Sequence, residues 1–309
     1  MKVAIVLNGI SLNKSRFYNK ILPALQQVCK PDVLESQSKK DAISVTAKLM
    51  SRRYDYILAA GGDGTLNQVL NGMLRDYEPP SKLPVLGIIP LGGGNDFARA
   101  LGISGDPAWL TNALRGGNTR TIDVGEVRYT VTHNGQAERH GQGRRFFINV
   151  VDVGMEPDVL KRVAASARAL GTAMAYYTSI LTTFFTFKPA ELTARGDDWE
   201  WHNPVRTLAI ANASYYGNGL CVAPDAKLDD GEFNIFACGR VSVLDFILKT
   251  FPMKAGKKLS HREISYFRSR QVNLISGDKK IAIEADGEVL GELPASVKMA
   301  DIRVKILVS

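Results

Sequence analysis

Three short apolar runs occur in the first hundred residues, at 3–7, 54–60 and 85–90, and each ends in a turn rich in glycine or asparagine. Helical spacing of apolar residues follows each turn. Strands that alternate with helices in this way predict a parallel sheet. Right-handed crossovers then place the turns at the carboxyl edge of the sheet, where open α/β folds bind their ligands. The first part of the chain is therefore predicted to be α/β.

The pattern changes after about residue 123 to short strands separated by hairpin turns. Asn-Gly or Asp-Gly pairs indicate turns at 134–135, 230–231 and 286–287, and Gly-Asp indicates one at 277–278. The later part of the chain is therefore predicted to be β-rich and sandwich-like. Within it, helices are predicted over 156–187 and 243–254, and strands over 264–267, 271–275, 280–285 and 302–308.

These two patterns predict two domains. Residues 1–124 form an α/β domain, and residues 125–309 form a β-rich domain whose last strand can return to the first. An uncharged run at 169–187 is long enough to raise the question of a membrane span, but it contains six serine and threonine residues. Its larger apolar residues recur at helical spacing, which favours a helix packed against the core. They are Leu170, Met174, Tyr177, Leu181 and Phe184.

Composition is that of an ordinary globular protein, with 45% hydrophobic and 23% charged residues. The net charge of +8 favours anionic partners, but the basic residues are scattered, so a nucleic-acid track is not predicted. The three cysteines have no Cys-x-x-Cys spacing, which argues against a zinc site and a disulfide framework. We therefore expect a cytoplasmic protein.

Two glycine-dense turns carry the candidate chemistry. Gly61-Gly62-Asp63-Gly64-Thr65 ends one predicted strand and opens a helix, and residues 90–99 (PLGGGNDFAR) follow the next strand. Backbone without Cβ atoms can approach a phosphate closely, and the amino end of a helix favours an anion. A single turn of this kind could equally be a tight turn in which Asp63 caps a helix. Two such turns at one sheet edge favour a nucleotide site.

Several known motifs are absent from the sequence. Neither the P-loop pattern G-x-x-x-x-G-K-[ST] nor the dinucleotide pattern G-x-G-x-x-G occurs, so those two nucleotide-binding classes are not supported. The hydrolase pattern G-x-S-x-G is also missing, and the four histidines show no metal or triad spacing.

Taken in order and with their spacing, the motifs resemble the diacylglycerol kinase catalytic family. This family includes bacterial diacylglycerol kinases, YegS-like lipid kinases and, more distantly, sphingosine and ceramide kinases. The resemblance covers nearly the whole chain and implies an NAD kinase/diacylglycerol kinase-like fold. It is carried by the residues 7–9, 61–72, 90–99, 123–125, 224–231 and 284–288.

The resemblance implies an ATP site in the first domain, with Asp63 as its central polar and catalytic residue and Ser36 near the adenosine. The acceptor hydroxyl would lose its proton to a general base, Asp286 or Glu288, of which we favour Glu288. The implied ATP-binding residues are Asn8, Ser36, Gly61, Gly62, Asp63, Gly64, Thr65, Leu66, Asn67, Gln68, Gly92, Gly93, Asn95 and Asp96.

A Mg²⁺ site is implied at the turn over 227–232. There Asp230 would supply a carboxylate, and the main-chain carbonyls of Lys227 and Glu232 would complete the protein ligands. Asp123 would join this metal to the active site through water. A hard cation prefers such oxygen ligands. Without the resemblance, the same turn would be interpreted as a plain hairpin.

Two positions depart from the family pattern, and both lie in the implied nucleotide site. The family usually has glutamate at the position of Gln68, and threonine or serine at that of Gly93. One lost hydrogen bond contributes about 0.5–1.5 kcal/mol, so ATP binding should weaken about tenfold without being abolished.

The sequence thus predicts an ATP- and Mg²⁺-dependent lipid kinase that acts on diacylglycerol or a related lipid. The apolar residues at 176–187 are expected to contact acyl chains. Expected partners are a lipid substrate at a membrane surface and no nucleic acid; peripheral contact with the inner membrane face and a homodimer are left open. The alternatives are an NAD-kinase-like enzyme with a soluble substrate and a catalytically degenerate nucleotide- or lipid-binding protein.

Overall fold

The computed structural model describes residues 1–38, 41–78, 82–133, 136–170 and 172–309. The chain divides into two compact units. The first contains residues 1–122 and 302–309, and the second contains residues 123–301.

Among its described residues, the first unit contains four complete strands and six short or medium helices, with a π-helical turn at Phe17–Ile21. The strands are β1 (Val3–Asn8), β2 (Asp32–Ser36), β3 (Tyr56–Gly61) and β4 (Val85–Pro90). The helices are α1 (Lys14–Arg16), α2 (Leu22–Leu25), α3 (Asp41–Met50), α4 (Asp63–Leu74), α5 (Asp96–Ala100) and α6 (Pro107–Gly116).

Strands dominate the remainder of the chain. They are β5 (Thr119–His133), β6 (Gln136–Phe147), β7 (Val150–Gly154), β8 (Ala190–Arg195), β9 (Glu200–Val205), β10 (Thr207–Ala211), β11 (Tyr215–Tyr216), β12 (Leu220–Cys221), β13 (Phe233–Cys238), β14 (Ile264–Ser269), β15 (Gln271–Ser276), β16 (Ala282–Ala285) and β17 (Glu288–Leu307). The helices are α7 (Glu156–Leu170), α8 (Thr172–Thr186) and α9 (Val243–Lys254). The first residues of β5 and the last residues of β17 belong to the first unit.

The sheet of the first unit is parallel, as predicted. The strand order is β4–β3–β1–β2, and the end of β17 pairs with β4 in parallel through Ile306 and Leu86. The residues of β1, β3 and β4 are almost all buried, because helices cover a parallel sheet on both faces, whereas only Ser36 is buried on the edge strand β2. The four parallel strands therefore end at one edge, at Asn8, Ser36, Gly61 and Pro90.

Helix α4 begins directly after β3 and is buried from Thr65 to its end. A Cβ atom added at Gly72 would lie 2.5 Å from the Thr46 side chain and 2.6 Å from the carbonyl oxygen of Ile43. The absence of a side chain at position 72 therefore lets α4 pack closely on α3. This packing fixes the amino end of α4 at the carboxyl edge of the sheet.

The second unit is built on an antiparallel sheet with the strand order β14–β13–β10–β7–β16–β17. Residues of one face, such as Val151 and Leu208, pack with β8, β9 and β15 in a core between β layers. Residues of the other face, such as Ala209 and Phe236, pack with α7, α8 and α9. The predicted fold class, α/β followed by a β-rich sandwich-like part, is confirmed.

The bounds of several elements match the sequence pattern closely, including those of β4 and α9. The single helix predicted over 156–187 is instead two helices, α7 and α8. The Asn134-Gly135 turn lies outside the described residues.

The predicted apolar stripe on α8 is wrong at Met174, which is exposed, while Ser179 and Thr183 are buried. The less buried threonines of this helix donate to carbonyl groups four residues earlier, as Thr178 does to Met174 at 2.9 Å. The buried Thr183 hydroxyl has no hydrogen-bond partner among the described residues. The side chains of Leu170 and Tyr177 lie outside the described residues. Throughout the described ranges, no helix is both long enough and apolar enough to cross a membrane.

Candidate functional site

The loops at the carboxyl edge of the first unit are joined by hydrogen bonds. The Asn8 side chain donates from Nδ2 to Oγ1 of Thr65 at 3.3 Å, which connects the end of β1 to the amino end of α4. The N–H of Gly9 donates to the carbonyl oxygen of Ser36 at 3.2 Å, which connects the ends of β1 and β2. Three of the predicted nucleotide-site segments therefore meet at one place.

The two glycine-dense turns contact each other through their backbones. The N–H groups of Leu91 and Gly92 donate to the carbonyl oxygen of Gly61 at 2.9 and 3.2 Å. A Cβ atom added at Gly92 would lie 2.5 Å from Cα of Gly62 and 2.9 Å from Oδ1 of Asn95. Side chains at this contact would force the turns apart, so glycine is required for the close approach.

Asp63 ties the second turn to the first. It is the first residue of α4, but its carboxylate accepts hydrogen bonds from the N–H groups of Asp96 and Phe97, both at 3.1 Å, at the start of α5. Burial raises the pKa of the Asp63 carboxyl, and these N–H groups partly offset the increase. With both oxygens engaged, Asp63 positions the turns, and the geometry favours this role over direct catalysis.

Asn95 closes the second turn on itself. It has a positive φ of 52° and forms two hydrogen bonds with Gly92, from the Gly92 N–H at 3.0 Å and to the Gly92 carbonyl at 2.8 Å. Asparagine tolerates this left-handed conformation better than most residues. Gly93 stays exposed at the tip, and Asp96 is buried beside Arg99. The exposed part of this turn is therefore main chain.

Six predicted ATP-binding residues have buried side chains: Ser36, Thr65, Leu66, Asn67, Gln68 and Asp96. The Ser36 hydroxyl bonds the carbonyl of Leu7 at 3.4 Å, and Asn67 accepts from the Asn71 amide. These side chains support the loops from below, and a direct nucleotide contact would require them to move. In the described part of the chain, no side chain caps the amino end of α4, which leaves that end to a ligand.

Four residues that the sequence analysis missed form hydrogen bonds or ion pairs near the same loops. The Asn13 side chain donates to the carbonyl of Leu91 at 2.8 Å. Glu35 accepts from Lys14 and from the Tyr18 hydroxyl, and the bond to Glu35 raises the pKa of Tyr18 to about 12. The segment after β1 is polar and irregular, so no periodic signal identified these residues.

In the second unit, the Asp286 side chain forms hydrogen bonds to the backbone that its sequence motif did not predict. It lies in the turn between β16 and β17 with a positive φ of 48°, and it is buried. Its carboxylate accepts hydrogen bonds from three consecutive N–H groups, those of Ile148 at 3.1 Å and of Asn149 and Val150 at 3.0 Å. Three donors stabilise the ionised carboxylate, so Asp286 holds the connection between β6 and β7.

Glu288, the other candidate base, begins β17 and is half-buried. Burial lowers the pKa of the Arg145 guanidinium. The negative charge of the nearby Glu288 carboxylate opposes this decrease, and Asp286 adds a smaller effect in the same direction as Glu288. Arg145 therefore lies close enough to influence Glu288. Between the two candidates, the more exposed Glu288 is better placed to meet a substrate hydroxyl.

The carboxylates of the turn predicted to bind Mg²⁺ pair with an arginine of β14. The Arg268 guanidinium lies 2.5 Å from the Asp230 carboxylate and 3.1 Å from that of Glu232. Asp123 accepts from the N–H of Gly231 at 2.7 Å, while the carbonyl of Lys227 belongs to the same turn.

Because Arg268 already neutralises Asp230, the residues do not fit a metal centre as arranged. Within the described ranges, no three histidine, cysteine, aspartate or glutamate residues form a group that could hold a metal ion. Sequence analysis missed Arg268, which is distant in the chain from the turn.

A buried acidic cluster and an apolar cavity lie elsewhere in the second unit. Asp152 and Glu284 face each other on β7 and β16, and Asp152 accepts from the Thr207 hydroxyl at 2.6 Å. Burial and the neighbouring Glu156 raise the pKa of both carboxyl groups well above the usual range. A small cavity is lined by Glu156, Thr207 and Tyr216 and by apolar residues of the sheet, α8 and α9.

Comparison with known proteins gives matches along most of the chain. Residues 2–127 match the diacylglycerol kinase catalytic domain, and residues 149–308, about half of the chain, match the YegS C-terminal NAD kinase beta sandwich-like domain. A diacylglycerol kinase of Bacillus subtilis is 29% identical over 255 residues, which cover 82% of this chain and 78% of the relative. One of Staphylococcus haemolyticus is 27% identical over 261 residues, with 84% and 73% covered.

Two solved structures show the same fold. A diacylglycerol kinase from Bacillus anthracis superposes with a TM-score of 0.70 at 20% identity, covering 100% of this chain and 97% of the other. An NAD kinase from Archaeoglobus fulgidus, solved in complex with ATP, gives a TM-score of 0.51 at 12% identity, with 99% and 93% covered.

Proposed function

This chain belongs to the diacylglycerol kinase and YegS-like family of lipid kinases, and we propose that it transfers the γ-phosphate of ATP to the hydroxyl group of diacylglycerol or a related lipid. The first unit supplies the donor site and the second supplies the groups that act on the acceptor.

The observation that carries the proposal is the backbone contact between the two glycine-dense turns. Gly61, Gly62 and Gly92 bring two loops together without side chains at the edge where four strands end. The amino end of α4 opens at the same edge. Main-chain N–H groups and a helix amino end suit a triphosphate, whose many oxygens accept hydrogen bonds and carry negative charge.

Phosphoryl transfer requires mainly positioning and charge neutralisation from the protein. The Glu288 carboxylate takes the proton of the lipid hydroxyl as the hydroxyl oxygen bonds to the γ-phosphorus, and ADP leaves with the electrons of the broken P–O bond. The positive charge of Arg145 near Glu288 favours the ionised form that a base must have. We expect Asp286 to position this turn without taking the proton.

The cavity of the second unit supports an acceptor with acyl chains. Its walls include the apolar residues Ile180, Phe184, Phe236 and Met253. Apolar walls suit the carbons of an acyl chain, whereas a dinucleotide would leave its polar groups unpaired there. The cavity thus favours a lipid over the soluble acceptor of an NAD-kinase-like enzyme.

The test is an acceptor competition with the purified protein. ATP labelled at the γ-phosphate is supplied with Mg²⁺ and one acceptor at a time: diacylglycerol, phosphatidylglycerol, sphingosine or NAD. We expect label in a lipid product, no label in NADP, and loss of the reaction on adding EDTA. Glu288→Gln should lower kcat by about 10²–10⁴-fold, the usual contribution of a general base, while ATP binding is retained.

Two outcomes would overturn the proposal. Label in NADP alone would assign the chain to a soluble-substrate kinase. The absence of both label transfer and ATP binding, in protein with a normal melting transition, would indicate a degenerate site, for which Gln68 and Gly93 are the first residues to restore.

A further inference from the structure

Helix α9 exposes an apolar stripe to solvent. Leu244, Leu248 and Phe251 are 65%, 62% and 78% exposed, and Ile247 is 38% exposed. Their spacing of three, four and seven residues places them on one face of the helix. Such a face on a surface helix is normally polar, so this stripe requires an explanation.

The inner face of the same helix is also apolar. Phe246 and Met253 contact the core of the second unit and line its cavity, and the Phe246 and Phe184 rings lie 5.0 Å apart. The start of α9 is fixed by a capping box between Ser242 and Asp245. The helix is therefore well anchored, and its outer stripe is not a consequence of poor packing.

Basic residues surround the exposed stripe. The segment 242–262 contains five lysines and arginines and one acidic residue. Lys254 and Lys257 are exposed, and neither forms an ion pair within the part of the chain that the structure describes. Lys258 pairs with Asp225. The end of α9 thus has a local positive charge next to exposed leucine and phenylalanine.

We propose that the outer face of α9 docks on the surface of an anionic lipid bilayer, with Leu244, Leu248 and Phe251 at the acyl boundary and Lys254 and Lys257 at the lipid phosphates. An apolar helical face bordered by lysines is the pattern of helices that lie in a membrane interface. Lysines near such a surface are attracted by anionic headgroups. Charge complementarity thus favours a bilayer over an apolar protein surface.

The docking surface deepens the proposed function and rests on it for its purpose. Helix α9 lies between the exposed stripe and the cavity. Its outer face forms the stripe, and residues of its inner face line the cavity. Docking would therefore hold the acceptor cavity beside the bilayer from which a lipid substrate comes. The binding itself does not depend on catalysis and can be measured without ATP.

The test is sedimentation with vesicles of phosphatidylcholine, with and without phosphatidylglycerol. We expect binding to the anionic vesicles that weakens with added salt. The double variant Leu248→Ser/Phe251→Ser should lower the partition coefficient at least about tenfold, because large apolar area is lost from the interface. The control Ile275→Ser removes an exposed apolar residue on β15 and should leave binding unchanged.

A second variant and its control test the contribution of positive charge to vesicle binding. Lys254→Gln/Lys257→Gln should lower partition to anionic vesicles by about tenfold or more, given about 1 kcal/mol per lysine near the surface. Lys279→Gln, an exposed lysine distant from α9 in the chain, serves as the control. Unchanged vesicle binding in both α9 double variants would overturn the proposal. A molecular mass in solution that is halved in Leu248→Ser/Phe251→Ser would also overturn it, because the stripe would then hold two copies of the chain together.

The same variants separate this inference from the proposed function. In detergent micelles with a short-chain diacylglycerol, the α9 variants should retain the kcat of the parent protein, since their altered residues do not line the cavity. A parent protein that binds vesicles but phosphorylates no acceptor would refute the kinase proposal and leave the docking surface standing. Normal transfer from vesicles by all α9 variants would refute the docking surface alone.

Discussion

At the scale of single residues, carboxylates with similar sequence contexts have different roles. Asp63 and Asp286 both lie in glycine-containing turns, and each accepts backbone N–H groups from another segment. Glu288 is two residues from Asp286 but is more exposed. The N–H donors around Asp63 and Asp286 identify carboxylates that position a loop, and the greater exposure of Glu288 identifies it as the one that can accept a proton from a substrate.

Replacing Asp286 by asparagine should destabilise the protein. Asparagine keeps the left-handed backbone accessible but removes the negative charge to which three N–H groups donate. We therefore expect the free energy of unfolding, measured with urea, to fall by about 2 kcal/mol. Asp278→Asn, in the neighbouring exposed hairpin, is the control and should change stability little. If Asp286→Asn kept full stability and lost only phosphoryl transfer, Asp286 would be the base and our preference for Glu288 would be wrong.

At the scale of elements, function depends on how neighbouring strands and loops meet. The two glycine-dense turns follow β3 and β4, which are adjacent in the sheet, so their contact is a consequence of strand order. In the second unit, strand order brings Asp152 on β7 opposite Glu284 on β16. Like charges opposite each other in a sheet are unfavourable, and burial increases the effect.

The contact between the turns predicts the effect of Gly92→Ala. The added methyl would lie 2.5 Å from Cα of Gly62, so the turns must separate, and we expect the Kd for ATP to increase at least about tenfold, a change of about 1.4 kcal/mol. Isothermal titration calorimetry measures this directly. Gly116→Ala, at the end of α6, should leave the Kd unchanged, because its added Cβ would make only an ordinary contact, 3.6 Å from Nδ2 of Asn118. Equal affinities for both variants would show that ATP binds elsewhere.

The buried acids predict that stability decreases as pH increases. The raised pKa values of Asp152 and Glu284 mean that the folded state retains protons that the unfolded state loses. The free energy of unfolding should therefore fall as pH rises from the usual carboxyl pKa through the raised one. Asp152→Asn should flatten this profile and raise the melting temperature most at alkaline pH, while Asp225→Asn, on an exposed turn, should not. If Asp152→Asn instead lowered the free energy of unfolding by the same amount at all pH values, the assignment of a raised pKa to Asp152 would be contradicted.

At the scale of the whole molecule, the chain is organised as two units with separate cores. The last residues of the chain belong to the first unit, where Val304, Ile306 and Leu307 are buried. The candidate donor groups lie in the first unit and the candidate base in the second. Kinase activity is therefore expected to depend on the integrity of both units.

The return of the chain to the first unit can be tested with Ile306→Ala. Ile306 pairs with Leu86 on β4 and is fully buried, so truncation should cost about 2–5 kcal/mol through lost burial and a cavity. Urea unfolding measures the loss, and ATP binding should fail at lower urea than in the parent protein. Lys305→Ala alters the adjacent exposed residue and is the control. Equal stability of the two variants would indicate that the final strand is not part of this core.

Local periodicity was sufficient for much of the fold. Apolar runs before glycine turns identified β1, β3 and β4, and helical spacing identified α9 with its bounds. These features depend on residues close together in sequence, where each residue's preference and its neighbours decide the structure. The same locality allowed the glycine-dense turns to be recognised as candidate phosphate-binding backbone.

The sequence by itself therefore determined the element types, the order of the two units and the residues at the candidate nucleotide edge. Tertiary structure alone decided that Asp63 caps α5, that Arg268 neutralises Asp230, and that Asp286 bonds backbone more than 130 residues away. The physical reason is that a carboxylate's role depends on the donors and charges that folding brings to it. Those partners come from distant segments and leave no periodic pattern around the carboxylate itself.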